Sequence, residues 1–280
     1  MIFGILGLGS IGRRHANNLR NLGHEVIGFD PLPSPEVGCD RGYTIRTADA
    51  IVIATPTKCH AADLEDCLMT GKPIFIEKPI SGSDLGGFLP AIMAGNQPIM
   101  VGYNLRFHQC VVKAREWLPK IGTPIWAQFI CAQFNDKPDY LRDGVTLNWS
   151  HEIDLALHLL QGSYLVASRV SSKDNNDFMA DLILEQTNGA QTTIHLDYLT
   201  KPEVRSFGII GSEGRIGCDL TKGFISLQSN TCGQEFLRDV DFDQSYVDEM
   251  SAFIDLAQGK PNRGCTAEEA LGVLQICLKV

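Results

Sequence analysis

Residues 2–12 read Ile2-Phe3-Gly4-Ile5-Leu6-Gly7-Leu8-Gly9-Ser10-Ile11-Gly12, an apolar run that enters a Gly-x-Gly-x-x-Gly loop without a break. Ile2–Leu6 has the length and composition of a buried strand. Ser10–Leu22 has a helical pattern that closes at Gly23, and Val26–Phe29 is a second strand that ends on Asp30. The glycine loop alone is a weak signal. Its position between a strand and a helix, with an acidic residue about 20 positions on at the end of the next strand, makes it a strong one.

That arrangement is the opening of a dinucleotide-binding fold. Gly7 permits the tight turn, Gly9 the close approach of a pyrophosphate, and Gly12 the packing of helix on strand. Ser10 and Ile11 open the helix, whose free N–H groups and positive end favour an anion. Asp30 is placed to accept from ribose hydroxyls and to repel a 2′-phosphate, which favours NAD over NADP. Arg13 and Arg14 count towards NADP, because an arginine can serve that phosphate. The alternative is a structural glycine turn with no dinucleotide.

Working outward, Ala50–Thr55, Ile74–Glu77 and Ile99–Tyr103 read as further strands, with a helix near Cys59–Met69 that ends at Gly71. Strand–helix alternation predicts a doubly wound parallel sheet. Residues 31–46, PLPSPEVGCDRGYTIR, break the rhythm with three prolines. They offer no convincing helix and at most a stub of strand at Tyr43–Ile45, so the domain reads as trimmed after its second strand. Beyond about residue 104 a helix at Gln109–Leu118 leads into the runs Ile125–Phe134, Tyr164–Val170, Met179–Glu185, Gln191–Tyr198, Arg205–Ile210 and Phe224–Gln228, separated by turn signals. Helices are expected at Ser150–Gln161, Ser245–Gln258 and Ala267–Leu278. The chain therefore divides into a dinucleotide-binding α/β domain, 1–104, and an α+β domain, 105–280, built on an open, mostly antiparallel sheet for substrate binding and oligomerisation.

The net charge of −9 and pI near 5.2 repel phosphate backbones and anionic membranes, so nucleic acid and membrane are poor partners. No apolar run approaches the ~20 residues of a membrane span. The start, MIFGILGLG, lacks a basic leader and an A-x-A site and reads as a strand, not a signal peptide. The nine cysteines are odd in number and form no C-x-x-C pair. They read as small buried hydrophobes of a reducing cytoplasm. Cys59-His60 is one adjacent pair, not a metal site, and no metal is expected.

The run Ile74–Ser81, IFIEKPIS, fixes a lysine at the end of a buried strand. In a parallel sheet that end shares its edge with the glycine loop and with the turn Ala54-Thr55-Pro56, which would line the nicotinamide side. Pro79 stops the ladder and biases Lys78 to extended geometry. A lysine held there can shuttle a proton, with Glu77 beside it. The bland alternative is a surface ion pair. Farther on, the helix that opens with His151 places His151, Asp154 and His158 along one stripe, with His151 in its first turn. Tyr103 and Arg106, in GYNLRF, stand at the domain crossover.

The segments GLGSIGRRH, ATPTKCHAADLEDCLMTGKPIFIEKPIS, VGYNLRF and SHEIDLALHLLQG, in this order and spacing, resemble the Gfo/Idh/MocA family, the glucose–fructose oxidoreductase and inositol dehydrogenase relatives. The resemblance covers residues 1 to about 30 and 48–162. It implies a Rossmann domain, an open antiparallel sheet and a catalytic role for Lys78 near the nicotinamide. It also implies that His151 meets the substrate hydroxyl as a proton-transfer partner. Leu147, followed by Asn148, stands where many members carry an aspartate. The cofactor side is thus expected at Gly7, Gly9, Ser10, Ile11, Gly12, Asp30, Ala54, Thr55, Pro56, His60, Glu77 and Lys78. The substrate side is expected at Tyr103, Arg106, Asn148 and Asp154.

The function implied is NAD-dependent hydride transfer between nicotinamide and a secondary hydroxyl or ketone of a sugar, cyclitol or nucleotide-sugar-like substrate. Two rivals stay open: a non-catalytic NAD-binding sensor or scaffold of the same fold, and a dehydrogenase that reduces an imine or enone. A dimer or tetramer formed through the open sheet is expected, because an uncovered apolar face is unfavourable in a monomer.

Overall fold

Ile2–Leu6 forms β1, and Phe3, Ile5 and Leu6 in it are fully buried, as expected of a strand covered on both faces. The computed structural model of the chain describes residues 1–32, 40–83, 85, 90, 92, 97–136, 144–173, 176–230 and 233–280. By contact, one unit comprises Met1–Asn104 with Tyr246–Leu274, and the other Leu105–Ser245 with Gln275–Val280.

In the first unit β1 leads through α1 (Ser10–Asn21) to β2 (Glu25–Phe29), α2 (Arg41–Thr47), β3 (Ala50–Ile53), α3 (His60–Leu68), β4 (Ile74–Glu77) and β5 (Ile99–Gly102). These five strands are parallel, and β1 lies between β2 and β3. The sheet ends at β2. The helix α2 corrects the expectation for residues 31–46. Tyr43–Ile45 is a helical turn and not a strand stub. Asp40 caps it by accepting from the Tyr43 N–H (2.8 Å), and Thr44 and Ile45 are buried. The prolines upstream had masked this cap; residues 33–39 themselves lie outside the described ones.

The second unit begins with α4 (Gln109–Trp117) and β6 (Pro124–Ala132), then α5 (Val145–Asn148) and α6 (Ser150–Leu159). Seven strands follow: β7 (Ser163–Lys173), β8 (Asn176–Gln186), β9 (Gln191–Asp197), β10 (Val204–Gly211), β11 (Gly214–Asp219), β12 (Phe224–Ser229) and β13 (Gly233–Leu237). They form one sheet with β6, in the order β13-β12-β11-β10-β6-β9-β8-β7, in which only β6 and β9 run parallel. β11 and β13, short and rich in glycine or polar residues, had no strong apolar signature. Alternate residues such as Phe129, Phe207, Ile194 and Leu182 face inward with the apolar sides of α4 and α6. On the other face Trp126, Gln128, Ile130, Thr193 and Ile183 remain half-buried or exposed.

The chain then returns. α7 (Gln244–Ala257), β14 (Cys265–Thr266) and the start of α8 (Ala267–Lys279) belong with the first unit, not with the second domain as the sequence suggested. Phe253 of α7 packs between Phe3 and Phe75, with ring centroids 5.8 and 5.6 Å apart. β14 adds an antiparallel edge beside β5. A reciprocal cap starts α8: the Glu269 N–H donates to Thr266 Oγ1 and the Thr266 N–H to the Glu269 carboxylate. No described helix is long and apolar enough to cross a membrane. The seven cysteines among the described residues are free thiols. Burial pushes that of Cys67 up to about 12.

On the outer face of the second sheet, His195 stands between Asp181 on β8 (2.7 Å) and Asp197 on its own strand (2.9 Å). Burial pulls the imidazole's pKa down, but the two carboxylates outweigh it and leave it raised. A raised histidine contributes stability that is fully present below its unfolded pKa, about 6.5, and lost as pH rises through the folded value. The melting temperature of the native chain should therefore exceed that of His195→Gln most at pH 5.5. The gap should close by pH 8.5, as thermal unfolding at the two pH values would show.

Candidate functional site

Gly7 has φ of +91°, and a Cβ there would meet the Ala54 carbonyl oxygen at 2.7 Å. A Cβ on Gly12 would collide with the Gly7 carbonyl oxygen, so β1, α1 and the end of β3 touch backbone to backbone. Gly9 differs. A Cβ there would meet nothing within 4 Å. It is exposed, and it occupies the N-cap of α1 without a side-chain cap or an acidic residue in the first turn. Ser10 is exposed and Ile11 half-buried beside it. Open space beside the first N–H groups of a helix suits an anion such as a phosphate.

Asp30 stands at the end of β2. Its Oδ2 accepts from the Leu8 N–H (2.7 Å) and its Oδ1 from the Leu32 N–H (2.8 Å). Each oxygen keeps a lone pair for a ribose hydroxyl. On the other flank, Thr55 Oγ1 donates to Asp63 (2.6 Å), which also receives Arg41 (2.8 Å), and Arg41 reaches Asp66 as well (2.6 Å). Burial disfavours the charge on Arg41, but Asp63 and Asp66 outweigh it and hold the guanidinium charged. Ala54 is buried and Pro56 exposed at this turn.

His60 was expected on the cofactor side. Instead its ring is buried, with Nδ1 2.8 Å from the Pro79 carbonyl oxygen and Nε2 2.9 Å from that of Thr55. Glu77, at the end of β4, has one oxygen on His15 Nε2 (2.7 Å), and the other accepts the Lys78 N–H (3.2 Å). Lys78 is half-buried at the same sheet edge as the glycine loop. Tyr103, just past β5, is buried.

In the second unit Arg106 and Asp154 are both buried and bonded to each other through Nε and Nη2, at 2.6–3.1 Å. Their charges serve each other, which gives them a bracing role where direct substrate contact was expected. Asn148 donates to the Gly144 carbonyl (2.9 Å). His151 lies in the first turn of α6 and is only 8% exposed. Its neighbour Glu152 is buried against Arg205 of β10 (2.8 Å). His158, on the expected stripe, meets Arg115 at 3.4 Å. Two buried ion pairs thus fasten α6 on either side of His151. Among the described residues no three His, Cys, Asp or Glu side chains gather as metal ligands would.

Residues 1–64 match the family model described as D-isomer specific 2-hydroxyacid dehydrogenase, NAD binding domain. That match ends before Glu77-Lys78-Pro79 and covers the strand, loop and helix that dinucleotide folds share. Likeness along the whole chain separates the possibilities. Myo-inositol 2-dehydrogenase of Thermotoga maritima is 24% identical, over 93% of this chain and 90% of that one. The relatives matched along most of the chain are named inositol dehydrogenases, in keeping with the Gfo/Idh/MocA resemblance of the sequence. Two solved structures share its fold. UDP-N-acetylglucosamine 3-dehydrogenase of Acidithiobacillus ferrooxidans superposes with a TM-score of 0.87 at 21% identity, covering 100% of this chain and 96% of that one. An inositol dehydrogenase homolog of Azotobacter vinelandii, solved with NADH and myo-inositol, gives 0.81 at 14%, covering 99% and 93%.

Sequence reasoning missed His15, Arg41, Asp63, Glu152 and Arg205. Only His15 left a usable trace, being three residues after Gly12 on the buried side of α1. The others find partners far away in sequence.

The glycine geometry separates two substitutions. Gly9→Ala should fold normally yet weaken NADH at least ~10-fold, or ~1.4 kcal/mol. Gly12→Ala should lose at least ~1–3 kcal/mol of stability through overpacking. Urea unfolding together with an NADH fluorescence titration checks both.

Proposed function

We propose that this sugar or cyclitol oxidoreductase moves a hydride between nicotinamide and the carbon bearing a secondary hydroxyl, with Lys78 and His151 handling the hydroxyl proton. NAD is its cofactor, and when bound it supplies the hydride acceptor or donor. Gly7, Gly9, Ser10, Ile11 and Gly12 would hold the pyrophosphate, Asp30 the ribose, and the Ala54–Pro56 turn the nicotinamide side.

The observation that carries the reading is the placement of Lys78. It follows β4 directly, on the edge where β1 delivers the glycine loop and β3 the Thr55 turn, and Glu77 holds its backbone N–H. A lysine amine there takes up the hydroxyl proton as hydride leaves carbon and returns it in the reverse direction. His151 is assigned the second proton-transfer role, with the ion pairs of Asp154 and Glu152 bracing its helix. Asp30 at the ribose edge, with Arg41 already held by Asp63 and Asp66, supports NAD over NADP.

Leu147, where many relatives carry aspartate, favours a second reading: a non-catalytic NAD-binding sensor or scaffold of the same fold. Turnover distinguishes the two. On a panel of cyclitols, sugars and nucleotide sugars the native chain should reduce NAD with at least one substrate and prefer it to NADP. Lys78→Ala should be slower by ~10²–10⁴-fold. Near-normal turnover in that variant would overturn the assignment. Saturable NADH binding without turnover on the whole panel would favour the sensor.

The half-buried outer face of the second sheet is assigned to self-association, as a dimer or tetramer. Light scattering should give a multiple of the 30.7 kDa chain mass, and a monomer mass would remove the idea.

A further inference from the structure

Lys78 sits where the ladder between neighbouring strands has run out. β3 and β4 pair from Ile51↔Ile74 to Ile53↔Ile76 and then part. Beyond that point the Thr55 turn and the Glu77-Lys78-Pro79 turn have no shared backbone ladder to fix them. On the other side Glu77 still pairs with Gly102 of β5, so the main chain lacks a ladder only towards β3. Two histidines close this gap.

The first is His60, the opening residue of α3, which is 1% exposed. Its Nδ1 lies 2.8 Å from the Pro79 carbonyl oxygen and its Nε2 2.9 Å from the Thr55 carbonyl oxygen. The ring therefore spans the two strand ends that the ladder no longer joins. Asp63, one turn along α3, grips the hydroxyl of the same Thr55 at 2.6 Å. With both ring nitrogens directed at main-chain oxygens and no exposed edge, His60 has no N–H to offer a ligand.

The second is His15, on the sheet-facing side of α1 and fully buried. Its Nε2 lies 2.7 Å from one oxygen of Glu77, whose other oxygen accepts the Lys78 N–H at 3.2 Å. The His15 Nδ1 is buried with no hydrogen-bond partner. The tautomer with its proton on Nε2 donates to the carboxylate and leaves only a lone pair at Nδ1, the arrangement that buries no unmatched N–H. Phe75 of β4 meets the ring edge-on, with centroids 5.0 Å apart, and fixes its plane.

We propose that His15 and His60 are positioning residues for Lys78, His15 acting through the Glu77 carboxylate on the residue before it and His60 through the Pro79 carbonyl on the residue after it. The frame draws on two helices, so α1, which carries the glycine loop, and α3, which carries the Thr55 turn, both locate the lysine. This rests on the reading of Lys78 as the proton-transfer group, but it concerns where the lysine is held and not what it does.

The test reads Lys78 without turnover. Reductive methylation with ¹³C-formaldehyde labels the lysine amines, and the Lys78 methyl signal is identified by its loss in Lys78→Arg. In His60→Leu and His15→Leu that signal should move by more than its linewidth and titrate at a different pH, while the other lysine signals stay in place. His60→Gln, whose amide N–H can still reach one of the two carbonyl oxygens, should give an intermediate displacement. NADH affinity should stay within about threefold of the native chain in His60→Gln, because both ring nitrogens are turned to main-chain oxygens. Where a panel substrate is turned over, kcat should fall ~10–100-fold in His60→Leu through misplacement of the reacting group, with KM for NAD little changed. Should the leucine variants not fold, His60→Gln decides the matter. A Lys78 signal unmoved in His60→Gln, and in His15→Leu where that variant folds, overturns the frame. So does a tenfold loss of NADH affinity in His60→Gln, which would make the ring a cofactor contact. A displaced signal together with full turnover in Lys78→Ala would keep the frame and sink the proton assignment, so the two ideas fail separately.

Discussion

Where α1 leaves β1, Gly12 lies against the carbonyl oxygen of Gly7, a contact that no side chain could enter. The rest of the first unit is arranged around that point. The contact starts α1 immediately at the strand end, so the helix's free N–H groups stand over the carboxyl edge of the sheet. Ala54 and Thr55, at the end of β3, close on Gly7 from the other side. Asp30, at the end of β2, is tied to the loop by the Leu8 N–H. Three strand ends and a helix terminus thus meet within backbone contact, and only Gly9 among the loop glycines looks out on open space. A Cβ on Gly9 would meet nothing within 4 Å, which leaves room there for an anion over the helix N–H groups.

A division of labour follows between buried and available polar groups. Burying a charge without a partner costs more than packing can return. Each deeply buried charge in the two constellations is accordingly matched: Asp63 with Arg41, Asp154 with Arg106, Glu152 with Arg205. These pairs brace elements, while Lys78, Asp30 and Thr55 lie half-buried at the sheet edge. The second unit applies the same rule to α6, which is buried almost all round and therefore fastens its acidic residues to arginines from the Asn104–Phe107 turn and from β10.

Much of this was legible in the chain. The strand–loop–helix opening, the parallel strands, the switch to hairpin-connected strands after residue 104 and the edge position of Lys78 all follow from short-range regularities. Period-2 and period-3.6 patterns reveal themselves within a dozen residues, and a glycine that must adopt positive φ or admit a close contact is recognisable from its neighbours. Where local signals conflicted, the reading failed. Asp40 caps α2, but the prolines before it hid the helix. β11 and β13 are too poor in apolar residues to stand out until their partners supply the hydrogen bonds.

The sequence by itself determined the class of fold and the place of the glycine loop, because each rests on local backbone preference and on a motif read in order. Only the tertiary structure decided that residues 246–274 return to the first unit, where Phe253 fills the space between Phe3 and Phe75. It alone decided that Arg106 answers Asp154 across 48 residues, that His15 answers Glu77 across 62, and that His60 serves the main chain. The reason is physical. A polar side chain's role is set by which partner can reach it once water is excluded, and that choice is made among residues far apart in the chain.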